Sequence, residues 1–290
     1  MKRILSCSAV AALAAGLLAA APAEAARVSG VPLDCSGYAR GVDTSGNLKT
    51  FRYEKGVASW TGLSPDSYGF QPIALTAIGQ AGDDSSFFSN DFAVKKDGSV
   101  YDVYRRAVKQ SNGTFTIVER RQTRVATGWQ STRAIANTGT HLYRLTNQGL
   151  YRYKVTYSQT SKSFRLGTRQ TIKSSGLSGY KTLASARQSS STVVLRSTTG
   201  LGRLSEIVIP LSKITSPTFR VVRSSGFSNV TSLGFGFCSS SAGGKGRTIV
   251  TATSAGAIRV HYEPTFDANG SDITGGGNAT TGVTRRIFGQ

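Results

Sequence analysis

The chain has 290 residues, with 35 basic against 15 acidic side chains, two histidines and a formal net charge of +20. So basic a surface attracts anionic polymers and repels cations. So few imidazoles and carboxylates argue against histidine-rich metal sites, a catalytic triad or a carboxylate-pair hydrolase.

The first 26 residues read as a cleaved signal peptide: Lys2 and Arg3, an Ala/Leu-rich run over 8–21, then Ala23-Glu24-Ala25 before the cleavage point. The apolar run is shorter than the ~20 residues a spanning helix needs, and nothing later in the chain is longer, so no transmembrane segment is predicted. The mature chain, 27–290, is exported and carries 33 basic and 14 acidic residues. Two cysteines remain in it, Cys35 and Cys238. An oxidising compartment and an even count point to one disulfide between them.

A glycine between two alternating β-type runs recurs five times, at Gly46, Gly98, Gly149, Gly200 and Gly256, with spacings of 52, 51, 51 and 56. The Asp, Asn, Ser and Thr residues around each copy favour a hairpin turn, with glycine supplying the positive φ. A second element alternates with the first, beginning at Gly69-Phe70, Gly128-Trp129, Gly176-Leu177 and Gly226-Phe227, with a truncated copy at Gly282-Val283. In the third period the strands fall at 134–137, 141–146, 150–157 and 164–172. They are rich in Val, Ile, Thr, Tyr and Phe, and no 3.6-residue amphipathic run follows the signal.

Four short strands in each of five ~51-residue periods predict an all-β, five-bladed β-propeller. It forms a single domain over 27–290, with repeats near 37–91, 92–140, 141–191, 192–247 and 248–290. The first repeat starts at its second strand and the last stops after its first. Closure of the ring by the C-terminal strand, 284–288, pairs the otherwise open edges. The rival is that 31–35 supplies that strand.

The stretch Gly128-Trp129-Gln130-Ser131-Thr132-Arg133-Ala134, followed by Leu142-Tyr143-Arg144-Leu145-Thr146-Asn147-Gln148-Gly149-Leu150-Tyr151-Arg152-Tyr153, resembles the repeat of tachylectin-2-like propellers. The resemblance is good in the third repeat, fair in the second and fifth, and weak in the fourth. It implies a lectin-like protein whose pockets lie between blades and bind N-acetylated sugars. Trp129 and its counterparts Phe70 and Phe227, with Tyr151, Arg152 and Tyr153, are the candidate ligand contacts, through stacking and guanidinium bonding. The alternative is that Trp129 is a core plug and the Arg/Tyr alternation is that of strands with one core and one solvated face.

Other motifs are incomplete. The 243–248 segment has phosphate-loop composition without the Gly-Lys-Ser/Thr ending or a following helix. Asp267 to Asp272 spells half a calcium loop, which Asx-turns also spell. His141 and His261 fall inside strands. No catalytic constellation, metal site or cofactor is assigned. The expected partners are glycans or anionic cell-wall polymers, with nucleic acid bound only through charge. An extracellular polysaccharide hydrolase and a protein-interaction scaffold are the alternatives.

Overall fold

A computed structural model describes residues 28–61, 66–239, 246–267, 269–280 and 286–288. The predicted signal segment and the 240–245 part of the glycine-rich loop lie outside them. The first blade contains β1 (Ser36–Val42), β2 (Leu48–Glu54) and β3 (Val57–Thr61), and the second β4 (Pro72–Gly82), β5 (Ser86–Lys95), β6 (Val100–Lys109) and β7 (Phe115–Ala126). The third holds β8 (Thr132–Asn137), β9 (His141–Thr146), β10 (Leu150–Ser158), β11 (Ser163–Leu166) and β12 (Gln170–Lys173). The fourth holds β13 (Ala184–Gln188), β14 (Thr192–Thr198), β15 (Leu204–Pro210) and β16 (Thr218–Arg223). The fifth holds β17 (Val230–Phe235), β18 (Arg247–Thr253), β19 (Ile258–Glu263) and β20 (Thr274–Thr280). Strand β21 (Arg286–Phe288) completes the first blade, in the order β21-β1-β2-β3.

The protein is therefore a five-bladed propeller of antiparallel sheets, and the C-terminal strand closes it. Gly41 pairs with Ile287 and Val42 with Arg286. The rival segment at 31–35 forms no strand; Cys35 instead bridges Cys238 in the fifth blade. The predicted fourth strand of the third blade, 164–172, is two pieces, β11 and β12. They pair with opposite ends of β10, and just beyond β11 the Gly167 N–H still bonds Lys154 O of β10 at 2.8 Å.

Five apolar clusters sit one at each joint between blades. The second strand of a blade is thus covered on both faces, and the hydrophobic effect selects a continuous apolar run there rather than strict alternation. Val193-Val194-Leu195 in β14 and Ile249-Val250 in β18 are such runs, buried throughout. The outer strand β7, facing water, carries Glu119, Arg120, Arg121 and Arg124.

The turn glycines follow the expected chemistry with one exchange and one correction. Gly46, Gly98 and Gly256 have φ near +80°, but in the fourth blade it is Gly202, not Gly200, that takes the positive φ. Gly149 is not in the left-handed region; a Cβ there would collide with the Lys173 carbonyl oxygen, so close approach of β12 sets its identity. In the second recurring element Gly69, Gly128, Gly176 and Gly226 all have positive φ. The residue beside them docks on the turn of the preceding blade: Tyr68 N–H on Gly46 O, Trp129 N–H on Gly98 O and Phe227 N–H on Gly202 O, each at 2.9–3.0 Å. The two repeated elements are two halves of one blade-to-blade clasp.

Candidate functional site

The clasps occupy one face of the ring, and the residues singled out by sequence cluster around them. Trp129 is 3% exposed. Its ring lies 4.7 Å from that of Tyr153, and the Arg144 guanidinium covers it at 4.7 Å, inside the joint between the second and third blades. Phe227 is buried in the joint between the fourth and fifth blades and stacks on His261 at 4.9 Å. Phe70, half-buried, packs with Tyr68 and Tyr101 between the first and second blades. Strand alternation turns Tyr151 and Tyr153 toward the second blade, while Arg152 bonds Gln170 Oε1 at 2.8 Å on the other side. Arg169 stands over Tyr151 at 5.2 Å. Trp129 and Tyr153 are thus brought together, whereas Phe70, Phe227 and Arg152 belong to separate joints. Rings buried as deeply as Trp129 and Phe227 present no free face to a sugar; they plug the joints.

His261 is buried, and burial with the nearby Arg223 and Arg259 holds it down to about 4, so it stays neutral. His141 is shifted in the same direction by partial burial beside Arg152 and Lys154. Among the described residues no group of three or more His, Cys, Asp or Glu side chains could hold a metal ion. Asp267 and Asp272 instead receive the Thr265 hydroxyl, and Asn269 caps a short turn at Ser271 N.

Two joints contain buried ion networks. Between the first and second blades, Arg105 contacts Asp66 and Asp91, and Arg40 reaches Asp91 at 2.7 Å. Burial raises the Asp66 carboxyl even against the pull of Arg105. Between the fourth and fifth blades, Arg196 grips Glu263 through two bonds of 2.6 and 2.9 Å and also contacts Glu206, which pairs with Arg220. Burial raises Glu263 as well, against the opposing Arg196. These carboxylates are committed to guanidinium partners inside the joints.

The cavity along the ring axis, walled by β4, β8, β17 and the approach to β13, is about 30 Å³, room for water but not for a sugar. A much larger pocket, about 320 Å³, opens on the face opposite the clasps, where the fourth, fifth and first blades meet. Tyr38, Ala186, Phe235, Gly236, Phe237 and Arg247 line it. Its walls are fixed by the seam of the ring. The Phe237 carbonyl accepts Ser36 N–H at 2.9 Å, and the Cys35–Cys238 disulfide locks the adjacent chain. At Gly236 a Cβ would strike the Ser36 carbonyl oxygen, so only glycine lets β17 lie this close to β1. Phe237 is 58% exposed at the rim.

Tyr38, Phe235 and Phe237 carry no repeat signature that marks them as site residues, and Arg247 stands in the sequence only as part of the incomplete 243–248 loop motif. The available signal was the last repeat spacing, 56 instead of 51. The first-to-second-strand connection is 83–85, 138–140 and 189–191 in the middle three blades but 236–246 in the fifth. The long connection carries both a pocket aromatic, Phe237, and the half-cystine.

No protein-family model matches this chain, and no curated protein sequence matches it. The chain resembles solved lectin structures. The BP39L lectin from Burkholderia pseudomallei matches at 15% identity and a TM-score of 0.43, over 88% of this chain and 68% of that one. The Aleuria aurantia lectin, a six-bladed β-propeller with a fucose recognition mode, matches at 16% identity and 0.42, over 83% and 73%. A Trypanosoma rangeli sialidase matches at 10% identity and 0.41, over 82% of this chain and 44% of that one. With these TM-scores below 0.5, the fold is shown by this chain's own sheet topology.

Proposed function

We propose that the protein is a secreted, non-catalytic carbohydrate-binding propeller that recognises glycans or anionic cell-envelope polymers. The observation that carries this reading is the pocket at the seam. Its volume lies at the small end of the roughly 300–1,000 Å³ typical of small-molecule sites. It offers rings, at Tyr38, Phe235 and Phe237, together with one guanidinium, at Arg247. An aromatic ring packs against the C–H face of a pyranose, and a guanidinium donates in a planar fork to ring substituents. No carboxylate is among the lining residues, so the pocket supplies recognition without an acid–base pair.

In this reading Trp129, Tyr153 and Phe227 hold the blades in register, while the seam pocket meets the ligand. The net charge of +20 adds long-range, salt-sensitive attraction to acidic polymers. The test is binding of the purified mature protein to a glycan and cell-wall polymer array at low and high salt. Binding to defined saccharides that persists at high salt, and is lost in Phe237→Ala, supports the proposal. Binding only to polyanions, abolished by salt and indifferent to Phe237→Ala, refutes it.

A further inference from the structure

Among the charged groups around the seam, Arg247 stands apart. Its partner across the β18–β19 ladder is Glu263, the natural counter-ion on the same sheet face. That carboxylate, however, is taken by Arg196, whose two terminal nitrogens bind its two oxygens at 2.6 and 2.9 Å. Glu206, the next acid, is shared between Arg196 and Arg220. Two guanidiniums and two carboxylates there neutralise each other. The outlying Asp267 and Asp272 are bonded by the Thr265 hydroxyl, and Asp34 by Ser239.

Arg247 is left with no ion pair among the described residues, and its Nε is buried without a hydrogen-bond partner. The ring of Phe266 steadies it, with a separation of 5.9 Å. The same ring carries Arg187 at 5.4 Å, next to the pocket residue Ala186. A buried donor without an acceptor is costly, and the guanidinium it belongs to lines the pocket.

We infer that the seam pocket selects acidic saccharides: a pyranose bearing a carboxylate, its ring on Tyr38 and Phe237 and its carboxylate on Arg247, with Arg187 adding attraction at the mouth. This rests on the reading of the pocket as a carbohydrate site. Carboxylate and guanidinium match as a two-pronged pair, and neither neutral N-acetyl sugars nor cationic sugars pair with the guanidinium in that way.

The test is calorimetric titration of the mature protein with a galacturonate trisaccharide, its methyl ester, and an N-acetylmuramic-acid-containing disaccharide. Acid and ester differ in charge but hardly in shape. The acid is expected to bind at least tenfold more tightly than the ester. Arg247→Gln should weaken acid binding roughly ten- to hundred-fold while leaving the ester unchanged. Arg247→Lys, which keeps the charge but not the fork, should fall between. Tighter binding of the muramyl ligand would place the natural source in the cell wall, and of the galacturonate in an external polymer; either supports the inference. Equal affinity for acid and ester, or an Arg247→Gln protein that binds the acid normally, overturns the inference while the carbohydrate reading stands. If no saccharide binds at all, both fall. Because Arg247 makes no ion pair among the described residues, the variants are expected to unfold at the wild-type midpoint, which the same samples report.

Discussion

Replacing Arg196 with methionine takes the only fully buried cation out of the network between the fourth and fifth blades. Glu263 then loses both of its short bonds, at 2.6 and 2.9 Å, while Glu206 keeps Arg220. Arg196 and Glu263 are both fully buried, so water cannot replace the lost partner. Breaking such a pair from one side costs about 3–5 kcal/mol, which for a domain of this size lowers Tm by roughly 6–20 °C. The loss carries a pH signature. Burial already raises the Glu263 carboxyl above its ordinary value, and removing Arg196 raises it further. A carboxyl with a raised native pKa binds more protons folded than unfolded, so stability falls as pH climbs from the ordinary Glu value through the raised one. The Arg196→Met deficit is therefore expected to be larger at neutral pH than under mild acid. Urea unfolding curves followed by tryptophan fluorescence, at about pH 5 and about pH 7, measure it. Adding Glu263→Leu should recover most of the loss, because a buried pair replaced by apolar groups is close to neutral. A deficit below about 1 kcal/mol, or one identical at the two pH values, would mean that Glu263 does not depend on Arg196 for its charge.

His261 makes an opposite pH contribution. Its native pKa is lowered to about 4 from 6.5, so the unfolded chain takes up the proton first and stability drains as pH falls from about 6.5 toward 4. The total is about 3 kcal/mol, and His261→Gln should flatten that part of the wild-type-minus-variant pH curve. Removing the Cys35–Cys238 bridge frees a loop of sequence separation 203. The chain-entropy argument puts the loss at about 5 kcal/mol as an upper value, read as the fall in denaturation midpoint of Cys35→Ser/Cys238→Ser. Trp129→Phe should cost roughly 1–2 kcal/mol of stability and leave saccharide affinity unchanged. A folded variant that has lost affinity would return Trp129 to the ligand site.

Much of the architecture is local chemistry repeated. A hairpin needs a left-handed residue wherever it occurs, so Gly46, Gly98 and Gly256 announce their turns, and Gly69, Gly128, Gly176 and Gly226 announce the clasps. Their constant alternation determined the number of blades. The half-repeat at each end pointed to closure through the C-terminal strand, with 31–35 as the rival that the β1–β21 pairing displaced. Cys35 and Cys238 pointed to one bridge, which the structure contains.

Local pattern was silent on which aromatics face a neighbour and which face water. Trp129 and Phe237 are both aromatics next to a glycine in a connection, yet one is 3% and the other 58% exposed. The difference lies in blades distant in sequence: Trp129 is covered by Tyr153 and Arg144, whereas Phe237 lies on the seam where the first and fifth blades meet. The same holds for charge. Every arginine carries the same formal charge in the sequence, but pairing is settled across joints, by contacts such as Arg196 to Glu263, 67 residues away. The repeat and the blade count were legible in the residues, because they follow from turn chemistry and counting. The burial of Trp129 and Phe227 in the joints, and an Arg247 with no ion pair among the described residues, came from the folded ring, because burial and ion pairing are set by neighbours that the chain brings together on closing it.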